Sequence, residues 1–214
     1  LADIKNLKIF IGQNNFFDKE KMNLKHIKIN NANFSLLRND LNFLKDRSNN
    51  NFSNKKIEIN NSNIFFKDNN DEAVAIIKIR KAFFFMDSDN LFNIFNLNGE
   101  VYNVPFKFVF KKIPNSLMTQ EINIIAKILK LKISNIYNYE KKNPNMGKNT
   151  TSFLNNTIIT QYKIKDGIMI FNSINSKTKN NKINYNGELS INPFDLNLNL
   201  NLNNYILLKL LNIN

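Results

Sequence analysis

The residues that carry most enzyme chemistry are scarce in this chain. His26, in "LKHIKI", is the one histidine, and cysteine is absent. A metal site needs three or four nitrogen, sulfur or carboxylate ligands, and a single imidazole with no thiolate does not begin one. A relay of nucleophile, base and acid would have to rest on that same histidine, and no serine lies in a Gly-x-Ser-x-Gly elbow. No glycine-rich loop is present to cradle phosphate. The carboxylates are scattered singly, apart from Asp71-Glu72 in "KDNNDEA", whose composition reads as a hairpin tip. Glu100 and Glu188 stand out because each follows Asn-Gly in the same surroundings. A lone carboxylate is weak acid–base machinery, so both read as structural or solvent-facing. The expectation is a non-enzymatic chain with no catalytic residue, no metal site and no cofactor.

Those two glutamates belong to a repeated cassette. "NGEVYNVPF" spans 98–106 and "NGELSINPF" spans 186–194, so Gly187 follows Gly99, and Pro193 follows Pro105, at the same spacing of 88 residues. Glycine inside a strand-like run marks a bulge or a close backbone approach; proline marks a strand start, a bulge or an edge. Gly99, Pro105, Gly187 and Pro193 therefore predict a structural corner. In it a strand bends at Gly, turns near Pro and re-enters the sheet with Phe leading an apolar row. A shorter repeat, "IKINNANF" at 27–34 and "IEINNSNI" at 57–64, aligns without gaps 30 residues apart. Its pattern reads as a short strand, a tight Asn turn and the next strand, because Asn tolerates the left-handed backbone. "YKIKDGIMIF" does the same with Asp166-Gly167 as the turn.

The elements that hold these features alternate with period two. Phe194, Leu196, Leu198, Leu200 and Leu202 point one way, while Asp195, Asn197, Asn199 and Asn201 point the other. Phe106, Phe108 and Phe110 form a second row, and Leu129, Leu131 and Ile133 a third, opposed by Lys130 and Lys132. A five-residue apolar row contributes on the order of 7 to 15 kcal/mol when buried, so it will not face water. Another sheet, a helix or lipid acyl chains must cover it. Helix signals are few: "RNDLNFLKD" near 38–46, capped by Asn39, and "NNYILLKLLN" at the end, capped by Asn204. The polar stretch 136–152 reads as a loop or linker.

Composition narrows the partners. Asn makes up about a fifth of the chain, and Lys, Ile and Phe are also abundant, the amino-acid signature of an AT-rich genome. The net charge of +13 follows from that bias, and arginine occurs only at 38, 47 and 80. Base readout leans on arginine forks, so nucleic acid is not expected as a partner. No apolar run approaches the roughly 18 to 20 residues of a membrane span. The chain opens on Leu-Ala-Asp and ends in "YILLKLLNIN", which reads as a piece of a longer polypeptide.

"IEINNSNIFFKDNND", "NGEVYNVPF", "YKIKDGIMIF" and "YNGELSINPF", in that order, resemble the repeating elements of AsmA-like envelope proteins of Gram-negative bacteria, in particular the AsmA C-terminal region. The resemblance runs from about 20 to 211 and is weakest near 136–156. It implies an inner-membrane-anchored periplasmic protein, its anchor outside this segment, whose long twisted sheet curls into an apolar groove. Such a groove would bind or conduct phospholipid between the inner and outer membranes in support of outer-membrane biogenesis. Phospholipid acyl chains would then lie against Phe106, Phe108, Phe110, Leu129, Leu131, Ile133, Leu196, Leu198, Leu200 and Leu202. Membranes would be engaged through regions outside this segment.

The fold expected is mainly β: long antiparallel twisted sheets of repeated strand-turn-strand units, forming a curled groove or open sandwich with few short helices. Residues 1–214 read as one β-rich segment, with an internal repeat over roughly 57–114 and 160–211. The alternative is a closed β-sandwich that serves as a structural or protein-interaction module, with no lipid passage.

Overall fold

The structure is a computed structural model that describes residues 2–12, 24–37, 52–68, 70–87, 89, 91–114, 118–139, 145–154, 156–177, 182–191 and 194–202. Among these residues it is all-β and mostly antiparallel, with 14 strands and no helix. The backbone divides into two compact units. The first carries β1 (Ala2–Ile11), β2 (Leu24–Leu37), β3 (Lys56–Lys67), β4 (Ala73–Asp87), β5 (Phe92–Val101) and β6 (Val104–Pro114), side by side in chain order. The second carries β7 (Met118–Ala126, save its last residue), β8 (Leu131–Tyr139), β9 (Asn145–Phe153), β10 (Asn156–Lys165) and β11 (Ile168–Ser173). It continues with β12 (Ser176–Lys177), β13 (Lys182–Ile191) and β14 (Phe194–Leu202).

The 30-residue repeat does not form the two hairpins its sequence suggests. Each copy is one long strand, β2 or β3, and the copies lie parallel and in register: Ile27 faces Ile57, Ile29 faces Ile59 and Asn33 faces Asn63. The second Asn of each copy, Asn31 (φ 54°) and Asn61 (φ 47°), takes the left-handed conformation. That is the backbone the pattern predicts, but it bends the strand without reversing it. The bend also shifts the alternation by one, so the apolar residues 27 and 29 before it, and 32, 34 and 36 after it, share one face. Asparagine side chains bridge the copies, with Asn60 Nδ2 donating to Asn30 Oδ1 at 3.2 Å and Asn63 Nδ2 to Asn33 Oδ1 at 3.0 Å. Where the ladder parts at the bend, the buried Ser62 hydroxyl accepts from Ala32 N–H and donates to the Asn60 carbonyl. The crease ends on β4, where the register to β5 slips by one residue between Ile79 and Lys81.

Elsewhere the short-range turn chemistry holds. Asp166 (φ 51°) and Gly167 (φ 79°) close the β10–β11 hairpin. "KDNNDEA" closes β3–β4, with Asp68 Oδ1 accepting from the backbone N–H groups of Asn70 and Glu72. The polar stretch expected to be a loop is mostly strand: β8 runs to Tyr139 and β9 begins at Asn145. Asn138, Lys148, Thr150 and Ser152 take one face of the two strands while Asn149 and Thr151 stand with Tyr137 and Gly147 on the other, so polar residues on both faces hid the alternation. Both helix candidates, 38–46 and the terminal "NNYILLKLLN", lie outside the described residues.

Candidate functional site

Side chains directly opposite on neighbouring strands share a face, so the register assembles rows across the first unit. Leu7, Ile29, Ile59, Ala82, Leu97 and Phe108 form one row from β1 to β6. Ile9, Ile27, Ile57, Phe84, Phe95 and Phe110 form the next. Beyond the crease Ile79, Gly99 and Phe106 line up, then Phe34, Ile64, Ile77, Val101 and Val104. Six strands at roughly 4.8 Å spacing make a dry surface about 24 Å across. Phe106, Phe108 and Phe110 thus stand on β6 at the ends of three successive rows, on the one face the alternation predicts. The rings of Phe84, Phe95 and Phe108 follow one another at 6.3 and 5.6 Å, and Phe95, Phe106 and Phe108 pack against the buried Ile79, Ala82 and Leu97. Phe52, just ahead of β3, rests on Phe84 at 5.8 Å and Phe110 at 6.3 Å, while its N–H donates to Asn93 Oδ1. Lys112 continues the Phe row and is buried, which pushes its ammonium below the ordinary lysine value.

The opposite face of this unit carries its charged side chains, interleaved with Phe83, Phe85 and Ile94. Glu100 accepts from Lys78 Nζ and from Arg80 Nη2, both at 3.1 Å, and those bonds hold its carboxyl below the ordinary carboxylate value. Glu58 is held low first by the Asn60 amide and then by Lys81, Lys28 and Lys56. His26 stacks on Phe10 at 4.3 Å, with its Nε2 buried. Among the described residues no cluster of His, Cys, Asp or Glu could hold a metal ion.

The second unit builds its face from different stock. One row runs Tyr137, Gly147, Tyr162, Phe171, Gly187 and Leu198. Beside it Asn135, Asn149, Thr160 and Ser173 make a polar belt. Tyr162 donates to Asn135 Oδ1 at 2.9 Å, Thr151 Oγ1 to Asn149 Oδ1 at 2.8 Å, and the hydroxyls of Thr160 and Tyr185 share a bond. Burial raises the phenols of Tyr137 and Tyr162 above their ordinary value. Leu131 and Ile133 sit half-buried on β8, whereas Leu129 lies outside that strand, exposed in the turn at 127–130. A strand beginning at Leu131 leaves Leu129 no alternation to join. Leu196, Leu198 and Leu200 share a face on β14 and are 49, 49 and 53 % exposed. Leu202 pairs with Ile183 through its backbone; its side chain lies outside the described residues.

The cassette forms a hairpin in both copies, with the turn in different places. In the first, Tyr102 (φ 48°) and Asn103 (φ 62°) make the turn, Val101 faces Val104 and Gly99 faces Phe106. Pro105 therefore lies inside β6 opposite Glu100, at a position that owes β5 no hydrogen bond. In the second, Ile191 faces Phe194 and Gly187 faces Leu198, so the connection falls two residues later in the cassette. It falls on positions 192 and 193, and Pro193 lies outside the described residues. Glu188 stands exposed between Ile170 and Asn197 without the ion pairs of Glu100. What the two glycines do share is a ring. A Cβ on Gly99 would meet the Phe106 ring at 3.4 Å, and one on Gly187 the Phe171 ring at 2.8 Å; Gly147 meets the Tyr162 ring at 2.1 Å. Each glycine is the floor on which a cross-strand aromatic lies.

Sequence reasoning missed the crease and the belt. The crease had a signal, the change of apolar parity from 27 and 29 to 32 and 34. The belt had none, because it exists only once four strands are in register. Comparison with protein-family models, curated proteins and solved structures yields no match.

Proposed function

We propose that the chain is a non-enzymatic segment of an AsmA-like envelope protein, in which the apolar sheet faces bind or conduct phospholipid acyl chains through the periplasm in support of outer-membrane biogenesis. The observation that carries this reading is the first unit's face, apolar on successive rows from β1 to β6. Acyl chains need a dry, continuous surface with no directional partner, and such rows supply one. No bond is made or broken, and no cofactor is required. The charged face, with Lys28, Lys78, Arg80 and their glutamates, keeps the sheet hydrated. A closed sandwich is less well supported, since it would bury the Leu196, Leu198 and Leu200 row that stands half in water.

Native mass spectrometry with lipid extraction tests the reading, on the chain expressed in a host with a periplasm and purified without harsh detergent. Phospholipid should accompany the wild type and disappear from the double variant Leu7→Asp, Ile9→Asp. Both residues are exposed on β1 at the ends of apolar rows, so the variant should keep its circular dichroism. A folded wild type free of lipid would overturn the proposal.

A further inference from the structure

We propose that two copies of this chain associate through β14, whose strands pair antiparallel and edge to edge about a two-fold axis at Leu198. Among the described residues β14 pairs only with β13, so its outer backbone edge is a row of donors and acceptors with no strand against it. In the β13–β14 hairpin Ile191 faces Phe194 across a two-residue connection. The Asn197 carbonyl oxygen reaches to 2.1 Å from where a Cβ on Gly187 would stand, and the Tyr185 N–H turns the other way, to Ser173 Oγ. The odd-numbered residues of β14 therefore bond to β13, and Leu196, Leu198 and Leu200 direct their N–H and C=O groups away from it.

Edge strands usually carry a guard, such as an inward lysine, a proline or a bulge. β1, an edge of the first unit, has Lys5 and Lys8 and a register slip between Phe10 and Ile11. β14, "FDLNLNLNL", has none of these over nine residues.

The strand is also its own complement. Pairing about Leu198 sets Leu196 against Leu200 of the other copy, Asn197 against Asn199, and Asp195 against Asn201. Leucine meets leucine on one face and asparagine meets asparagine on the other. Asp195 is the one charge on the strand, and its opposite number is neutral, so two chains of net charge +13 meet where neither presents a like charge. The same asparagine pairing already occurs within the chain, where Asn199 Nδ2 donates to Asn186 Oδ1 across β13 and β14. Three outward residues per copy, Leu196, Leu198 and Leu200, give about six backbone hydrogen bonds across the axis. An isologous contact of this kind closes as a dimer and does not propagate.

The test exploits the absence of cysteine. At the axis Leu198 faces its own copy at a hydrogen-bonded position, where Cα atoms lie about 5.5 Å apart, within disulfide reach. Mild oxidation of Leu198→Cys should give a dimer on a non-reducing gel, and Leu7→Cys on β1 should not. Sedimentation should show a dimer for the full chain and a monomer for Leu198→Pro, which removes an outward N–H that β13 does not use and so leaves the circular dichroism unchanged. A full chain that sediments as a folded monomer overturns the proposal. So does a dimer that persists in Leu198→Pro, or one that forms only once residues 203–214 are deleted, which would give the edge to the chain's own tail.

Discussion

The two units solve the same problem, how to make one face of a sheet dry, with different materials. The first stacks aliphatic and phenyl side chains row upon row from β1 to β6, with the buried Asn93 on that face accepting from the Phe52 N–H. The second sets tyrosines on glycine and accepts a belt of Asn135, Asn149, Thr160 and Ser173 whose polar groups are satisfied within the sheet. Its strands read as amphipathic one at a time, but their register brings polar residues together on the drier side. The difference teaches that alternation fixes which residues share a face, while only register fixes what that face is made of.

The largest effect should separate a buried row from an open one. Leu97→Ala empties a buried site beside the first unit's phenyl rings and should cost about 3 kcal/mol in urea titration, whereas Leu198→Ala on β14 should cost less than about 1. Equal losses would mean that the open row is packed as tightly as the closed one.

Glycine substitutions come next. In Gly187→Ala the new Cβ would lie 2.1 Å from the Asn197 carbonyl oxygen, a backbone atom, and about 2 kcal/mol should be lost on thermal unfolding. Gly99→Ala meets the Lys78 carbonyl oxygen at 2.7 Å and should lose less. The crease gives a third contrast. Asn61→Val forces a β-branched residue into the left-handed region and should cost about 2 kcal/mol, while Asn61→Gly should be close to neutral.

The smallest effects are electrostatic, and they run in opposite directions. Glu58 and Glu100 have folded values below their ordinary 4.5. Their stabilisation is therefore complete above that pH and fades as pH falls through the lowered values. Tyr137 and Tyr162 have folded values above their ordinary 10.0, so the stability they contribute is complete below pH 10 and is lost as the pH climbs toward the raised values. Amide exchange resolved by residue should show β3 to β5 loosening first in acid and β8 to β10 loosening first in alkali. Glu58→Gln should flatten the acid limb in the first unit and leave the second unchanged.

Much of this was legible in the residues. The strands around Phe106, Leu196 and Ile168 follow from period-two alternation, and the Asp166-Gly167 turn from its dipeptide. The doubled cassette was visible too, but the equivalence it suggests is only partial. Identical Asn-Gly-Glu and Pro-Phe fix neither turn, because turn position is decided by where left-handed residues fall, and Tyr102-Asn103 supplies them early in one copy. The parallel β2–β3 pairing escaped for a related reason. Left-handed asparagine serves a reversal and a bend equally well, and local sequence does not distinguish them. Leu129 shows the same limit at a strand end, where alternation continues in sequence past the point at which the backbone turns.

The most direct test of the lipid-facing reading is a map of contacts made by a phospholipid whose acyl chain carries a photoactivated diazirine. After illumination and digestion, adducts should fall on the dry rows, at Phe106, Phe108, Leu7 and Ile9, and be absent from Lys107, Lys111 and Lys78 on the charged face. Adducts spread evenly over both faces, or none on a folded chain, would contradict it.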